Sequence, residues 1–79
     1  MVFPEAVTEL AHYRHFKDAV GVPILANVTE FGRTPLFGLP ELGAAGVDIV
    51  LYCCAAYRAM NAAALETFRT IRRDGSQRA

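Results

Sequence analysis

A chain of 79 residues is long enough for one small folded unit, and its composition excludes several classes of protein. Eight basic residues balance eight acidic ones, so the net charge is zero, which is not expected of a protein that binds nucleic acid through a basic surface. Hydrophobic residues make up 53% of the chain and the mean hydropathy is +0.23. Because a small fold can hide little surface, this excess predicts burial against more of the same protein or against a partner subunit.

The apolar runs of the chain predict neither a membrane protein nor a secreted one. No positively charged stretch leads into an apolar one, and no apolar run approaches the ~18 residues that span a membrane. We therefore expect a cytoplasmic protein. Several late arginines are expected to complement the negative end of a helix dipole rather than to bind nucleic acid; they are Arg69, Arg72, Arg73 and Arg78.

The first half of the chain predicts a strand end, a helix and a complete strand. The short apolar segment 1–3 is expected to be the end of a strand, and residues 22–26 form the first complete strand. Between them, apolar side chains recur at steps of three and four residues, which is typical of a helix with one buried face. Gly21 is expected to end that helix. The helical series consists of Val7, Leu10, Tyr13, Phe16 and Val20.

The second half predicts a short helix, a strand and a longer helix. Residues 40–45 are expected to form the short helix, since proline is tolerated at its first position. Residues 47–52 are apolar on both faces apart from Asp48, which is typical of a strand in a parallel sheet covered by helices. A helix follows from about residue 55 to residue 73. Its inner face is expected to consist of Tyr57, Met60, Ala64, Phe68 and Ile71.

Strands and helices thus alternate along the chain, and this order predicts the α/β fold class. Short links between alternating elements favour right-handed βαβ units, and therefore parallel strands with covering helices. In such folds, ligands bind at the carboxyl ends of the strands. The side chains that follow each strand are therefore the candidates for a functional site.

Polar side chains follow the first two predicted strands. Glu5 comes after the first, and Asn27, Thr29 and Glu30 come after the second. Asn27 and Thr29 either donate hydrogen bonds to carboxylate oxygens of a ligand or satisfy their own backbone in Asx or Ser/Thr turns. Glu5 either belongs to the same site or supports the N-terminus of the first helix.

Arg58 is expected in the first turn of the last helix, where a cation opposes the positive end of the helix dipole. Local rules are most often broken at functional sites, so this charge is a hint of function. Arg58 either binds a carboxylate through two parallel hydrogen bonds, or it points to solvent or pairs with a nearby acid. The residue pattern leaves both interpretations open.

The other reactive side chains give weaker indications. His12 and His15 are three residues apart on the predicted helix, but no third metal ligand accompanies them. Cys53 and Cys54 are adjacent, and neighbours in a strand point to opposite faces, so we expect small buried residues rather than a disulfide. The sequence contains no glycine-rich phosphate loop, no nucleophile elbow and no zinc-binding HExxH motif.

Three stretches of the chain resemble a known enzyme family. FPEAVTELAHYRHF, VPILANVTEFGRTPLF and YRAMNAAA are similar to the C-terminal part of the methylisocitrate lyases, in the isocitrate lyase and phosphoenolpyruvate mutase superfamily. The resemblance covers essentially the whole chain. It implies the last three βα units of a (β/α)8 TIM-type barrel, with residues 1–79 as a partial barrel domain that lacks the final, subunit-exchanging helices. It also implies that the chain works in a homo-oligomer or with the remainder of a larger barrel.

The resemblance further implies a reaction and a set of substrate-binding residues. The family cleaves a carbon–carbon bond in methylisocitrate, a small tricarboxylate, to give pyruvate and succinate in the methylcitrate route of propionate breakdown. Its Mg²⁺ stabilises the forming enolate and a cysteine acts as general acid. In the family, the ligands of this Mg²⁺ and this cysteine lie upstream of the segment that matches the chain. Neither Cys53 nor Cys54 is therefore that cysteine. The family's substrate-binding positions match Glu5, Asn27, Val28 through its backbone, Thr29 and Arg58.

Two other functions stay open at this point. The first alternative is a noncatalytic remnant or small carboxylate-binding module. The second is a related hydrolase or mutase that acts on a small oxo acid such as oxaloacetate. Arg58 together with Asn27 and Thr29 favours a di- or tricarboxylate over a phosphonate. Because the family's metal-binding and cysteine segments are absent, the 79 residues alone are expected to be inactive.

Overall fold

A computed structural model describes residues 1–78 as an α/β unit with two short parallel strands. The helices and strands alternate along the chain, so the predicted α/β class with parallel strands is confirmed. The number of βα units in the complete fold stays a prediction. The elements are α1 (Leu10–Val20), β1 (Leu25–Asn27), α2 (Leu39–Ala44), β2 (Ile49–Leu51) and α3 (Ala55–Asp74).

β1 is the central strand because backbone groups bond to it on both edges. It pairs in parallel with β2, and Leu25 lies opposite Ile49. The peptide group between Ile24 and Leu25 bonds in two directions: its carbonyl accepts from the Ile49 amide at 3.1 Å, and its N–H donates to the Val2 carbonyl at 2.9 Å. In a trans peptide these groups point to opposite sides. Val2 therefore lies on the far edge, where the predicted first strand is reduced to a single bridge with Ile24.

α1 begins later than the apolar periodicity predicted. It starts at Leu10, with the extended residue Glu9 at its N-cap and no acidic residue in its first turn. Val7 is buried although it precedes the helix. The interpretation that Glu5 supports this helix is therefore wrong, because Glu5 lies well before its first turn. Gly21 ends the helix as predicted, in the left-handed conformation (φ 64°) that glycine adopts without steric cost.

The hydrophobic core lies where α1, β1 and α2 meet. Tyr13 from α1, Ile24 beside β1 and Leu42 from α2 are its largest fully buried side chains. Arg14 reinforces the contact between the two helices, since its Nη2 donates to the Ala44 carbonyl at 2.7 Å. Phe16 and Val20, which belong to the predicted buried face of α1, are instead exposed. The buried apolar set is Val7, Tyr13, Ile24, Ala26, Val28, Leu42 and Ala45.

α3 extends away from this core and keeps its apolar face in solvent. The molecule measures 59 × 19 × 17 Å, and a helix of this length accounts for about 30 Å of that. Among the residues of α3, only Thr70 is buried. The prediction of a buried inner face is wrong for this chain, because no described element lies against it. The exposed members of that face include Tyr57, Met60, Phe68 and Ile71. No helix in residues 1–78 combines the length and the apolar character needed to cross a membrane.

This exposed apolar face predicts self-association of the isolated chain. Phe68 on α3 is 69% exposed and Met60 is 67% exposed. Contiguous apolar patches of this kind are normally covered in soluble proteins. In sedimentation velocity, we expect the 79-residue chain to be oligomeric or polydisperse, and Met60→Glu with Phe68→Glu should shift it towards monomer. A monodisperse, cooperatively melting wild-type monomer would contradict this expectation.

Asp48 ties β1, β2 and α1 together at the start of β2. Its Oδ2 accepts hydrogen bonds from the Lys17 ammonium at 2.8 Å and from the Ile24 amide at 2.9 Å. Its own amide donates to the Ile24 carbonyl at 2.9 Å. The Lys17 hydrogen bond, followed by that from the Ile24 amide, lowers the pKa of the Asp48 carboxyl below its usual value. The one polar residue in the predicted strand 47–52 is thus a structural link between elements.

Protonation of Asp48 is expected to destabilise the fold in acid. Because its pKa is lower in the folded state, the folded chain binds fewer protons, and the stabilisation is present above the unfolded-state pKa of about 3.9. It is lost as the pH falls through the folded-state value. Urea midpoints followed by circular dichroism should therefore fall on acidification, and fall less in Asp48→Asn. Equal pH profiles for Asp48→Asn, wild type and the control Asp18→Asn would contradict this link.

Candidate functional site

A cleft of about 270 Å³ opens beside the carboxyl end of β1. One wall comes from the segment after the Val2 bridge and contains Glu5. The other comes from the end of β1 and the loop after it, and contains Asn27 and Thr29. The structure therefore brings three of the predicted site residues to one cleft. The complete lining is Phe3, Pro4, Glu5, Ala6, Asn27, Thr29, Gly32, Arg33 and Thr34.

Asn27 lines this cleft and carries a buried acceptor that no hydrogen bond within residues 1–78 satisfies. It is the last residue of β1, and its Oδ1 is buried without a hydrogen-bond partner among the described residues. Nearly all buried polar atoms have a partner, and one without costs about 1–3 kcal/mol. A ligand hydroxyl would satisfy Oδ1, and the amide nitrogen of the same side chain can donate to a carboxylate. No Asx turn involving Oδ1 is present.

Thr29 connects the cleft to the β2–α3 turn, which comprises residues 52–55. Its Oγ1 donates to the Cys53 carbonyl at 3.2 Å and accepts from Arg58 Nη1 at 3.0 Å. These partners are distant in sequence, so the Thr29 side chain does not form the local Ser/Thr turn that the sequence left open. Its hydroxyl proton is already engaged, and Thr29 therefore acts by holding its neighbours in place.

Arg58 lies next to the cleft, in the first turn of α3, and is paired with an acid. Its Nη1 donates to Glu30 Oε2 at 2.7 Å as well as to Thr29. The guanidinium also lies over the exposed Phe31 ring, with Cζ 5.5 Å from the ring centroid. Nε and Nη2 make no hydrogen bond to any residue in 1–78. The ion pair therefore leaves one edge of the guanidinium open to a carboxylate, and both interpretations of Arg58 are geometrically compatible.

Glu30 is charged at neutral pH. Its own backbone amide, followed by the hydrogen bond from Arg58, lowers the pKa of its carboxyl below the usual range. Both side chains are more than a third exposed, so the energy of this pair is screened by solvent. Glu30 thus mainly orients the Arg58 guanidinium and contributes little to the stability of the fold.

Comparison with known proteins identifies relatives along the whole chain, although no family model matches it. The 2-methylisocitrate lyase of Escherichia coli K12 is 58% identical over 78 residues, which cover 99% of this chain and 26% of that enzyme. The chain is a relative of the 2-methylisocitrate lyases. It spans about a quarter of the length of the curated relatives it matches.

Solved structures of the same superfamily share the fold. A 2,3-dimethylmalate lyase, described as a PEP mutase/isocitrate lyase superfamily member, aligns with a TM-score of 0.85 at 31% identity, over 98% of this chain and 28% of that one. An oxaloacetate acetylhydrolase in complex with oxalate aligns with a TM-score of 0.87 at 26% identity, over 98% of this chain and 27% of that one. The segment thus corresponds to part of TIM-barrel enzymes that act on small organic acids.

Among the predicted substrate-binding residues, Val28 has the fewest groups available to a ligand. Its side chain is buried in the core, and its amide donates to the Leu51 carbonyl at 2.9 Å. The Val28 amide is therefore occupied by the sheet, and only its carbonyl is left for a ligand. Its role in substrate binding, like that of Glu5, Asn27, Thr29 and Arg58, stays a prediction.

Arg33 is a cleft residue that the sequence reasoning missed. It lines the same cleft as Asn27 and forms no ion pair with the residues that the structure describes. It supplies an uncommitted cation, whereas Arg58 is shared with Glu30. The available signal was its place in the loop after a strand of a parallel sheet, where binding residues concentrate.

The two cysteines differ from their predicted arrangement. Cys53 is half-buried and Cys54 is exposed, and both are free. Their Sγ atoms lie 3.8 Å apart. The prediction of buried, opposite-facing side chains is wrong because β2 ends at Leu51 and Cys54 has a left-handed backbone (φ 61°). The alternation of strand side chains does not extend into this turn.

The described residues do not fit a magnesium site. No group of three or more His, Cys, Asp or Glu side chains within 1–78 is arranged to hold a metal ion. His12 lies on the surface, where its Nε2 is 3.6 Å from Oε2 of Glu9. The Mg²⁺ that the family resemblance implies would therefore need ligands from outside this chain.

Proposed function

We propose that this chain forms a substrate-binding wall of a carbon–carbon lyase that cleaves methylisocitrate to pyruvate and succinate. The observation that carries the proposal is the unpartnered, buried Oδ1 of Asn27, a residue that lines the cleft beside the Thr29–Arg58 pair. The complete activity belongs to a larger barrel, because the chain spans 26% of its E. coli relative. Mg²⁺, a homo-oligomeric assembly and a cytoplasmic place in propionate breakdown are parts of the same proposal.

The residues of the cleft, together with Arg58 beside it, would bind and orient the substrate. The open edge of Arg58 would take a substrate carboxylate through parallel hydrogen bonds, and Arg33 would supply a second positive charge. Asn27 would accept a hydrogen bond from the substrate hydroxyl. Glu5, as an acceptor facing the same cleft, would favour a hydroxyl over a carboxylate at its own position. This arrangement recognises a hydroxylated polycarboxylate by both its charge and its hydroxyl.

The comparisons favour a lyase over the hydrolase alternative. The curated lyase relatives reach 58% identity, whereas the aligned oxaloacetate acetylhydrolase is 26% identical. A site that hydrogen-bonds a substrate hydroxyl also discriminates against analogues that lack one, because its polar groups are then left unpaired. Oxaloacetate has no such hydroxyl in its keto form, so Asn27 supports the hydroxy acid as substrate.

A chimeric enzyme tests the proposal directly. In this chimera, the chain replaces the matching 78 residues of the E. coli 2-methylisocitrate lyase. We expect the purified chimera to cleave methylisocitrate in a coupled assay for pyruvate, with Asn27→Ala about 10-fold or more below the parent chimera, since the lost bond is to a desolvated group.

The control for the chimera is His12→Ala, which lies on the exposed surface of α1. It should retain the activity of the parent chimera. A folded chimera that binds Mg²⁺ but does not turn over methylisocitrate would favour the noncatalytic remnant. Turnover of oxaloacetate in its place would favour the hydrolase.

A further inference from the structure

The β2–α3 turn places two thiols side by side at the surface. Cys53 Sγ and Cys54 Sγ are 3.8 Å apart, with Cys54 exposed and Cys53 half-buried. A disulfide bond needs about 2.05 Å between sulfurs, so a movement of under about 2 Å would close it. The predicted buried, separated pair would not have allowed this, whereas the observed left-handed backbone at Cys54 does.

The turn is weakly restrained, which makes that movement feasible. The Ala55 amide reaches the Tyr52 carbonyl only at 3.4 Å, a long hydrogen bond. Cys54, the N-cap of α3, makes no side-chain capping bond, so its thiol is free to move. Side-chain rotation and a backbone adjustment can therefore bring the sulfurs together, and that adjustment alters the torsions of the Cys53 and Cys54 backbone.

We propose that Cys53 and Cys54 form a reversible disulfide site that low-molecular-weight disulfides oxidise. The Cys54 thiolate attacks one sulfur of the oxidant and releases one small thiol. The Cys53 thiolate then attacks Cys54 Sγ and releases the second. In total, two protein thiols and one small disulfide give one protein disulfide and two small thiols, so two electrons pass from the protein to the oxidant.

Accessibility assigns these roles to the two cysteines. Cys54 is the exposed thiol and can meet an oxidant from solution, whereas Cys53 is partly covered. The hydrogen bond with the Cys54 thiol, and the charge of that group, raise the pKa of the Cys53 thiol above its usual value. This shift acts only while both thiols are free, and it ends once Cys54 Sγ is bonded to the oxidant.

The bond would be easy to reduce, as a switch requires. Neighbouring Cα atoms across a trans peptide are 3.8 Å apart, whereas disulfides usually join Cα atoms about 4.4–6.8 Å apart. The ring is therefore strained, and strained, exposed disulfides are the labile ones. This distinguishes the site from a structural disulfide, which would stay closed in a reducing compartment.

Oxidation would act on the neighbouring cleft through the backbone of the turn. The Cys53 carbonyl accepts the Thr29 hydroxyl at 3.2 Å, and the Cys54 carbonyl accepts the Arg58 amide at 2.9 Å. Closing the ring changes the torsions that aim both carbonyls. Thr29 and Arg58 are thereby linked to the redox state of the turn, although neither contains sulfur.

The test is titration of the full chain with glutathione disulfide, followed by intact-mass and peptide mass spectrometry. We expect loss of both free thiols, a mass decrease of two hydrogens, a Cys53–Cys54 linkage and full reversal by dithiothreitol. In two-dimensional NMR, the amides of Thr29 and Arg58 should shift on oxidation, and that of Leu42 should not. Cys53→Ser and Cys54→Ser should each stop at a glutathione adduct or stay unreacted.

Three results would overturn the proposal. One is a stable glutathione adduct on the wild-type chain without ring closure. Another is a disulfide between two chains. The third is ring closure in urea as fast as in the folded chain, because a turn that holds the sulfurs together should accelerate closure about 10-fold or more. If the NMR signals of the Thr29 and Arg58 amides do not shift after ring closure, the link to the cleft is refuted.

Discussion

Arg58→Ala in the chimeric enzyme is expected to lower kcat/KM for methylisocitrate by about 10- to 100-fold. A hydrogen bond to a charged group contributes about 1.5–3 kcal/mol, and each 1.4 kcal/mol is a factor of ten. The loss includes more than one contact, because Arg58 Nη1 also bonds Thr29 at 3.0 Å and Glu30 at 2.7 Å. Steady-state kinetics with the pyruvate assay would measure the effect.

Two matched variants separate substrate binding by Arg58 from support of the loop. Arg58→Lys keeps the charge and loses the planar fork, so it should recover only part of the activity if the carboxylate is bound by two parallel bonds. Glu30→Gln removes the charge of the partner and leaves the guanidinium in place, so activity should fall much less. If Glu30→Gln is as damaging as Arg58→Ala, the ion pair rather than the open edge is the important feature.

Leu42→Ala is expected to lower the free energy of unfolding by about 2–5 kcal/mol. Leu42 is 1% exposed and packs in the core between α1, β1 and α2, so its removal leaves a cavity that the short α2 cannot fill. Domains of any size are only marginally stable, so a loss of this size is a large fraction of the total. Urea unfolding followed by circular dichroism would measure it in the Met60→Glu, Phe68→Glu background, in which the chain is expected to be monomeric.

The control for this core variant is Leu39→Ala, in the same helix. Leu39 is 58% exposed, so the same chemical change should alter the free energy by about 0.5 kcal/mol or less. The pair keeps the helix, the residue type and the substitution constant, and it differs in burial and in position along α2. Equal losses in the two variants would show that the isolated chain does not have the core described here.

The sequence predicted the order of the elements because their signals are local. Gly21 located the end of α1, although the helix starts at Leu10 and not at the first member of the apolar series, and Pro40 located α2 within a residue. α3, which was predicted from about residue 55 to residue 73, ends at Asp74, before the left-handed Gly75. Boundaries that depend on partners shifted, as with the first strand, where Val2 forms a single bridge.

The candidate site was predictable only in part. That polar side chains follow strands in a parallel sheet can be seen in the sequence, and the resemblance added Val28 and the reaction. The pairing of Arg58 with Glu30 and the bond from Thr29 to Cys53 could not be predicted, because each joins residues far apart in the chain. Arg33 was missed although it lies in the loop after a predicted strand, and the folded loop places it in the cleft.

The sequence by itself determined the α/β class, the kinship with a lyase family and the presence of an amide, a hydroxyl and a guanidinium near strand ends. Those features depend on residue type and near-neighbour spacing. The tertiary structure alone decided which side chains are covered, which donors are already engaged and where the two thiols lie. Burial and hydrogen bonding are properties of distances between remote segments, and a linear order of residues does not specify those distances.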